Sequence, residues 1–148
     1  MKFKFAKFPR LPSAAFPDIK ASPVPVITVG LSAAKKAEPL YVLALIDSGA
    51  ADTIFHGDIG RHIGLRIEDG PSAEHRGVGG QVILSYFHPI HLVVGGHAVP
   101  IYAGFCDQVE PKPGLLGMRG FSEHFKVAFD YRKESIEVTP YPSRQILH

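Results

Sequence analysis

Cys106 is the chain's one cysteine, so no disulfide can form within it. Folding therefore does not call for an oxidising compartment, and a cytoplasmic location is the simplest expectation. Long apolar runs are also missing. The longest, Leu40 to Ile46, falls far short of the ~20 residues that cross a bilayer. Met1 to Pro12 lacks the unbroken apolar stretch of a secretory signal. Nor is there a large excess of one charge: a net +2 is too little to make the whole surface a nucleic-acid footprint. Neither nucleic acid nor membrane is expected as a partner. The start of the chain is the local exception, since Lys2, Lys4, Lys7 and Arg10 precede the first acid, Asp18, and alternate with Phe3, Phe5 and Phe8. A basic, aromatic arm for membrane or RNA is one reading. A frayed or strand-forming terminus with Lys and Phe on opposite faces is the simpler one.

What is present describes a globular domain. The 148 residues, 45% hydrophobic and 20% charged, suffice for one domain with a real core. Thirteen prolines and fifteen glycines cut the sequence into short pieces, the mark of a β-rich fold. Residues 1–22 read as a loosely held lead-in or arm, because Pro9, Pro12, Pro17 and Pro23 forbid a long helix. The domain proper is expected over 23–141, with 142–148 a tail.

Within it, 24–31 and 40–46 read as strands around a solvated turn. The second is apolar on both faces, as in a strand buried on both sides. A short strand over 53–55 precedes a short helix over 58–63, which Gly64 is placed to stop. Residues 74–85 form an expected hairpin centred on Gly77-Val78-Gly79-Gly80. Strands 88–94 and 97–103 flank the two-residue turn Gly95-Gly96. A strand ends at Leu115-Leu116-Gly117, a second short helix is expected over 121–125, and 126–129 with 135–139 make a closing hairpin.

Chemistry concentrates after the second strand, at Asp47-Ser48-Gly49. Alone, this tripeptide is a turn signal, since aspartate and glycine commonly follow strands. The longer stretch Ala44-Leu45-Ile46-Asp47-Ser48-Gly49-Ala50-Ala51-Asp52-Thr53 resembles the active-site strand and loop of aspartic proteases. Sixty-eight residues after Asp47, Leu115-Leu116-Gly117 resembles that family's second signature. Between them, Gly77-Val78-Gly79-Gly80 is similar to the flap tip of the retroviral-type enzymes. With three motifs in order over residues 24–140, the chain resembles the retropepsin-like aspartic proteases. The resemblance implies a mostly β fold, a closed barrel with a flap hairpin and one or two short helices.

It also implies a mechanism. Two facing carboxylates hold one proton between them, because like charges at short range do not both ionise cheaply. The ionised member takes a proton from water as it attacks the scissile carbonyl, and the protonated member donates to the carbonyl oxygen. The chain has one Asp-Ser-Gly; Asp69-Gly70 lacks the preceding apolar strand. The second carboxylate is therefore expected from another copy, and a two-fold homodimer sets Asp47 against its equivalent. By the same resemblance Ser48 would bond across the axis and Gly49 would leave room for substrate backbone. Ala50, Ala51 and Asp52 would line the polypeptide substrate. Gly77, Val78, Gly79 and Gly80 would close over it.

Two departures stand out. Where retroviral enzymes carry an acid four residues after the catalytic aspartate and an arginine after the later glycine, this chain has Ala51 and Met118. Losing both together leaves no charge unpaired, and Asp52 and Arg119, one position on, are candidates to substitute. The eight histidines suggest no metal: His88 and His91 would face opposite ways on a strand, and His56 and His62 lack a matching ligand cluster. No cofactor is expected. The alternatives to an endopeptidase are a protease-like module that dimerises or binds peptides without cleaving them, and a barrel whose motifs match by chance.

Overall fold

Short apolar runs punctuated by glycine and proline become strands in the structure, a computed structural model that describes residues 1–77 and 79–143. In chain order these are β1 (Lys2–Lys4), β2 (Ala6–Pro9), β3 (Ala21–Val24), β4 (Val26–Ser32), β5 (Leu40–Ile46) and β6 (Ile54–His56). After α1 (Gly57–His62) and a 3-10 turn at Ile67–Asp69 come β7 (Ser72–Arg76), β8 (Val82–Val94), β9 (His97–Cys106) and β10 (Gly114–Leu116). The last two are β11 (Phe125–Asp130) and β12 (Ser135–Pro140).

Seven strands lie in the order β4-β5-β10-β6-β9-β8-β7, and β4 also pairs with β8. That extra ladder closes the sheet into a barrel and leaves β7 outside it, hydrogen-bonded among the described residues only along β8. The expected closed barrel is therefore present. Phe55 and Phe105 fill it, fully buried with ring centroids 6.3 Å apart. Gly95 (φ 54°) and Gly96 (φ 81°) turn β8 into β9, the left-handed pair that a two-residue hairpin needs. Pro89 lies inside β8 where the strand has passed β7 and not yet reached β4, so its missing N–H interrupts no ladder on that side. No helix among the described residues is long and apolar enough to cross a membrane.

Three expectations need correction. The lead-in is not loose: β1 pairs with β12 and β2 with β3. Lys2, Lys4 and Lys7 are exposed while Phe3, Phe5 and Phe8 are partly buried, and the Phe5 ring packs 6.1 Å from Phe129. Strand β5 is buried only toward its end, at Ala44 and Ile46, whereas Tyr41 is 61% and Leu43 41% exposed. No helix forms over 121–125. Gly120 turns at φ 88°, and the N–H groups of Ser122 and Glu123 reach back five residues to Gly117 and Met118, a wide turn that β11 follows at once.

Candidate active site

Parallel pairing of β5 with β10 sets Leu45 against Leu115 and Ile46 against Leu116. One residue further, the Asp47 N–H donates to the Leu116 carbonyl at 3.0 Å. The two distant motifs thus meet at the strand ends. The Asp47 side chain is half-buried, and its Oδ1 accepts the Gly49 N–H at 2.9 Å. The Asx-turn that the tripeptide alone suggests is therefore formed, and it orients the carboxylate. Ser48 and Gly49 are exposed. A Cβ on Gly49 would meet only Asp47 Oδ1 within 4 Å, so packing within the chain does not demand glycine there.

Behind the loop, backbone and one hydroxyl form a strap. Met118 and Arg119 N–H groups donate to the Ala50 and Ala51 carbonyls, each at 2.9 Å. Fully buried Thr53 donates its hydroxyl to the Arg119 carbonyl at 2.8 Å and accepts the Gly117 N–H at 3.1 Å. Gly117 is demanded by space: a Cβ would overlap the Asp52 carbonyl and lie 2.9 Å from that of Ala50. Sequence reasoning missed Thr53, although a hydroxyl opening the apolar run Thr53-Ile54-Phe55 is a signal of this kind.

Asp52 and Arg119 do form an ion pair, Nε to Oδ1 at 2.8 Å, with the Asp52 side chain 10% and the Arg119 side chain 70% exposed. His75 Nδ1 lies 3.8 Å from the other oxygen, Oδ2, a neighbour no sequence spacing reveals. The acid is thus engaged one position along from where retroviral enzymes place theirs. Beside the pair opens a cavity of about 440 Å³ bounded by Phe87, Tyr102 and the first residues of β7.

Strands β7 and β8 make the expected hairpin. Gly77 N–H donates to Gln81 O at 2.9 Å and Gly80 N–H to Gly77 O at 3.0 Å. Gly79 (φ 109°) and Gly80 (φ 81°) hold conformations that favour glycine; Val78 lies outside the described residues.

His88, His56 and the cysteine serve other ends. His88 Nε2 bonds the Ile67 carbonyl at 2.7 Å. His56 caps α1, its Nδ1 accepting the Asp58 N–H at 3.0 Å. His56, Asp58 and Asp107 bring ligand atoms within 4.8 Å of one another, but Arg61 takes both Asp107 oxygens at 2.8 Å. Arg61 holds the Asp107 carboxyl below its ordinary range; Glu68 is lowered first by its own backbone N–H and then by Arg61. Cys106 is buried, and its Sγ accepts the Gln108 N–H at 3.3 Å.

No protein-family model and no curated protein matches the sequence. Solved structures do. The retroviral protease-like domain of Ddi1 from Leishmania major superposes with a TM-score of 0.52 at 17% identity, over 83% of this chain and 99% of that one. The EIAV protease complexed with the inhibitor HBY-793 gives 0.46 at 21% identity, over 64% and 81%. The chain has the retropepsin-like fold.

Proposed function

We propose that the chain is a homodimeric aspartic endopeptidase that hydrolyses extended polypeptides. The observation that carries this reading is the setting of Asp47. It follows a strand end, is oriented by Gly49 N–H, and is fastened through Leu116, Ala50 and Thr53 to the second motif. Among the described residues its side chain makes that one hydrogen bond and no ion pair, so it is not a structural acid engaged elsewhere in the chain. A second copy supplies the facing Asp47, and the two share one proton. Water between them loses a proton to the ionised carboxylate and attacks the scissile carbonyl. The other carboxylate protonates the developing oxyanion. As the C–N bond breaks, the leaving amine takes the proton that came from water, and an intermediate hydroxyl returns a proton to the second carboxylate, restoring the singly protonated pair. Ser48 steadies the paired loops across the axis, and Gly49 admits the substrate backbone. Ala50, Ala51 and Asp52 flank the substrate while the tip from Gly77 to Gly80 closes and excludes water. The reaction needs no metal or cofactor. A reducing compartment such as the cytoplasm suits a chain whose one cysteine is buried and unpaired.

The test is digestion of a mixed peptide library by wild type and by Asp47→Asn. Cleavage by the wild type, abolished in a folded variant, is expected. Cleavage surviving the substitution would refute the mechanism, and a wild type that binds peptides without cutting them would leave a peptide-binding module instead.

A further inference from the structure

We propose that the cavity beside Asp52 is an outer subsite that receives an acidic side chain of an extended polypeptide, with Arg119 as its receptor. The inference rests on the endopeptidase reading only in treating that polypeptide as the substrate.

The Arg119 guanidinium is built to receive a carboxylate. Its Nε is spent on Asp52 Oδ1, while its two NH2 groups have no hydrogen-bond partner among the described residues and the side chain is 70% exposed. Its backbone does not move freely, because its N–H is bonded to Ala51 and its carbonyl to Thr53. The nearly buried Asp52 anchors the fork from behind. A guanidinium so held presents four N–H groups in a fixed plane, which fits a carboxylate bidentately. The cavity next to it gives room, with Phe87 and Tyr102 as an aromatic wall, their centroids 5.3 Å apart. That wall suits the methylene stem of a glutamate or aspartate side chain.

The surrounding sheet indicates how the ligand lies. Strand β7 ends the sheet order, so its outer edge offers backbone donors and acceptors with no ladder partner among the described residues. Pro71, Ser72 and Ala73, at the start of that edge, line the cavity. An extended chain adding to β7 would therefore pass over the cavity and drop a side chain into it. Glu123 also lines it and opposes an anion, but its Oε2 already accepts the Gly120 N–H at 3.0 Å. Both acids that line the cavity are engaged, Asp52 by Arg119 Nε and Glu123 by the Gly120 N–H, whereas the Arg119 NH2 groups are not, so the acidic ligand is favoured.

The test uses full-length Asp47→Asn protein, which is expected to bind without turnover, and fluorescence anisotropy with labelled extended peptides. One glutamate is moved through successive positions and compared with glutamine and lysine there. At one position the glutamate peptide should bind about tenfold more tightly than the glutamine peptide, the order expected for a charge-assisted pair. Further substitution of Asp52→Asn with Arg119→Gln, which strands no buried charge, should erase that preference, and Glu123→Gln should enlarge it. Equal binding of all three peptides at every position would overturn the proposal, as would tightest binding of lysine or no binding of any peptide. Cleavage of the same peptides by wild type separates the two claims. Cutting without charge preference sinks the subsite alone, whereas Arg119-dependent binding without cutting sinks the hydrolase and leaves the subsite.

Discussion

Replacing Thr53 by valine keeps the shape of a fully buried side chain and removes one oxygen. That oxygen joins the segment after the Asp47 loop to the second motif, donating to Arg119 O at 2.8 Å and accepting Gly117 N–H at 3.1 Å. The Gly117 N–H is buried, so its loss of partner carries most of a desolvation penalty of about 1–3 kcal/mol. The Arg119 carbonyl belongs to a more exposed residue and recovers part of its loss in water. The sum for Thr53→Val is about 2–4 kcal/mol. Thr53→Ser keeps both hydrogen bonds and gives up one buried methyl, about 1 kcal/mol. Urea unfolding followed by circular dichroism, at one fixed protomer concentration because dimerisation shifts apparent stability, reads both variants. The valine midpoint should fall by about 1–2 M with the slope unchanged, and the serine midpoint by clearly less. If valine unfolds within about 0.5 kcal/mol of wild type while serine is the weaker, the hydroxyl strap does not hold the two motifs together.

Other perturbations follow from the same geometry. Gly117→Ala sets a methyl against two backbone carbonyls that cannot rotate away, and should cost upwards of about 3 kcal/mol, read as a drop in Tm; a Tm unchanged within error would show that the strand ends are not in contact. Arg61→Gln removes the partner that lowers Asp107 and contributes to lowering Glu68. A depressed carboxylate pKa stabilises the fold above the ordinary carboxylate range and stops doing so as pH falls through the folded value. The Tm gap between variant and wild type should therefore be present at neutral pH and close on acidification; a gap that widens in acid would reverse the assignment. Phe105→Ala empties the centre of the barrel, where the ring is fully buried, and should lower stability by about 3–5 kcal/mol in the same urea assay.

Much of this was legible in the sequence because it is written locally. A buried aliphatic run ending in Asp-Ser-Gly and another ending in glycine mark the two strand ends that β5 and β10 bring together. Gly95-Gly96 sets a two-residue turn by its own backbone freedom. What escaped depends on partners far along the chain. The pairing of Lys2–Lys4 with β12 joins strands far apart along the chain, with Lys2 opposite Glu137, and no local pattern encodes that register. Strand β5 looks apolar on both faces, yet Tyr41 and Leu43 remain exposed because none of the described residues covers them. Over 121–125 the turn at Gly120 and the five-residue back-bonds win over helix propensity. The Asp52–Arg119 pair spans 67 positions and was legible only as a candidate set beside a known pattern. His75 reaches it from the flap strand and carried no signal at all.

The central claim, that one acid per chain becomes two in the working enzyme, is tested most directly by mixing. Wild type and Asp47→Asn are co-refolded in varying ratio at constant total protein, and peptide cleavage is followed. If both carboxylates of a pair are needed, activity falls as the square of the wild-type fraction, so an equal mixture retains about a quarter of full activity. An equal mixture retaining about half, with activity linear in the wild-type fraction, would mean that each chain cuts with its own Asp47 alone, and would contradict the account.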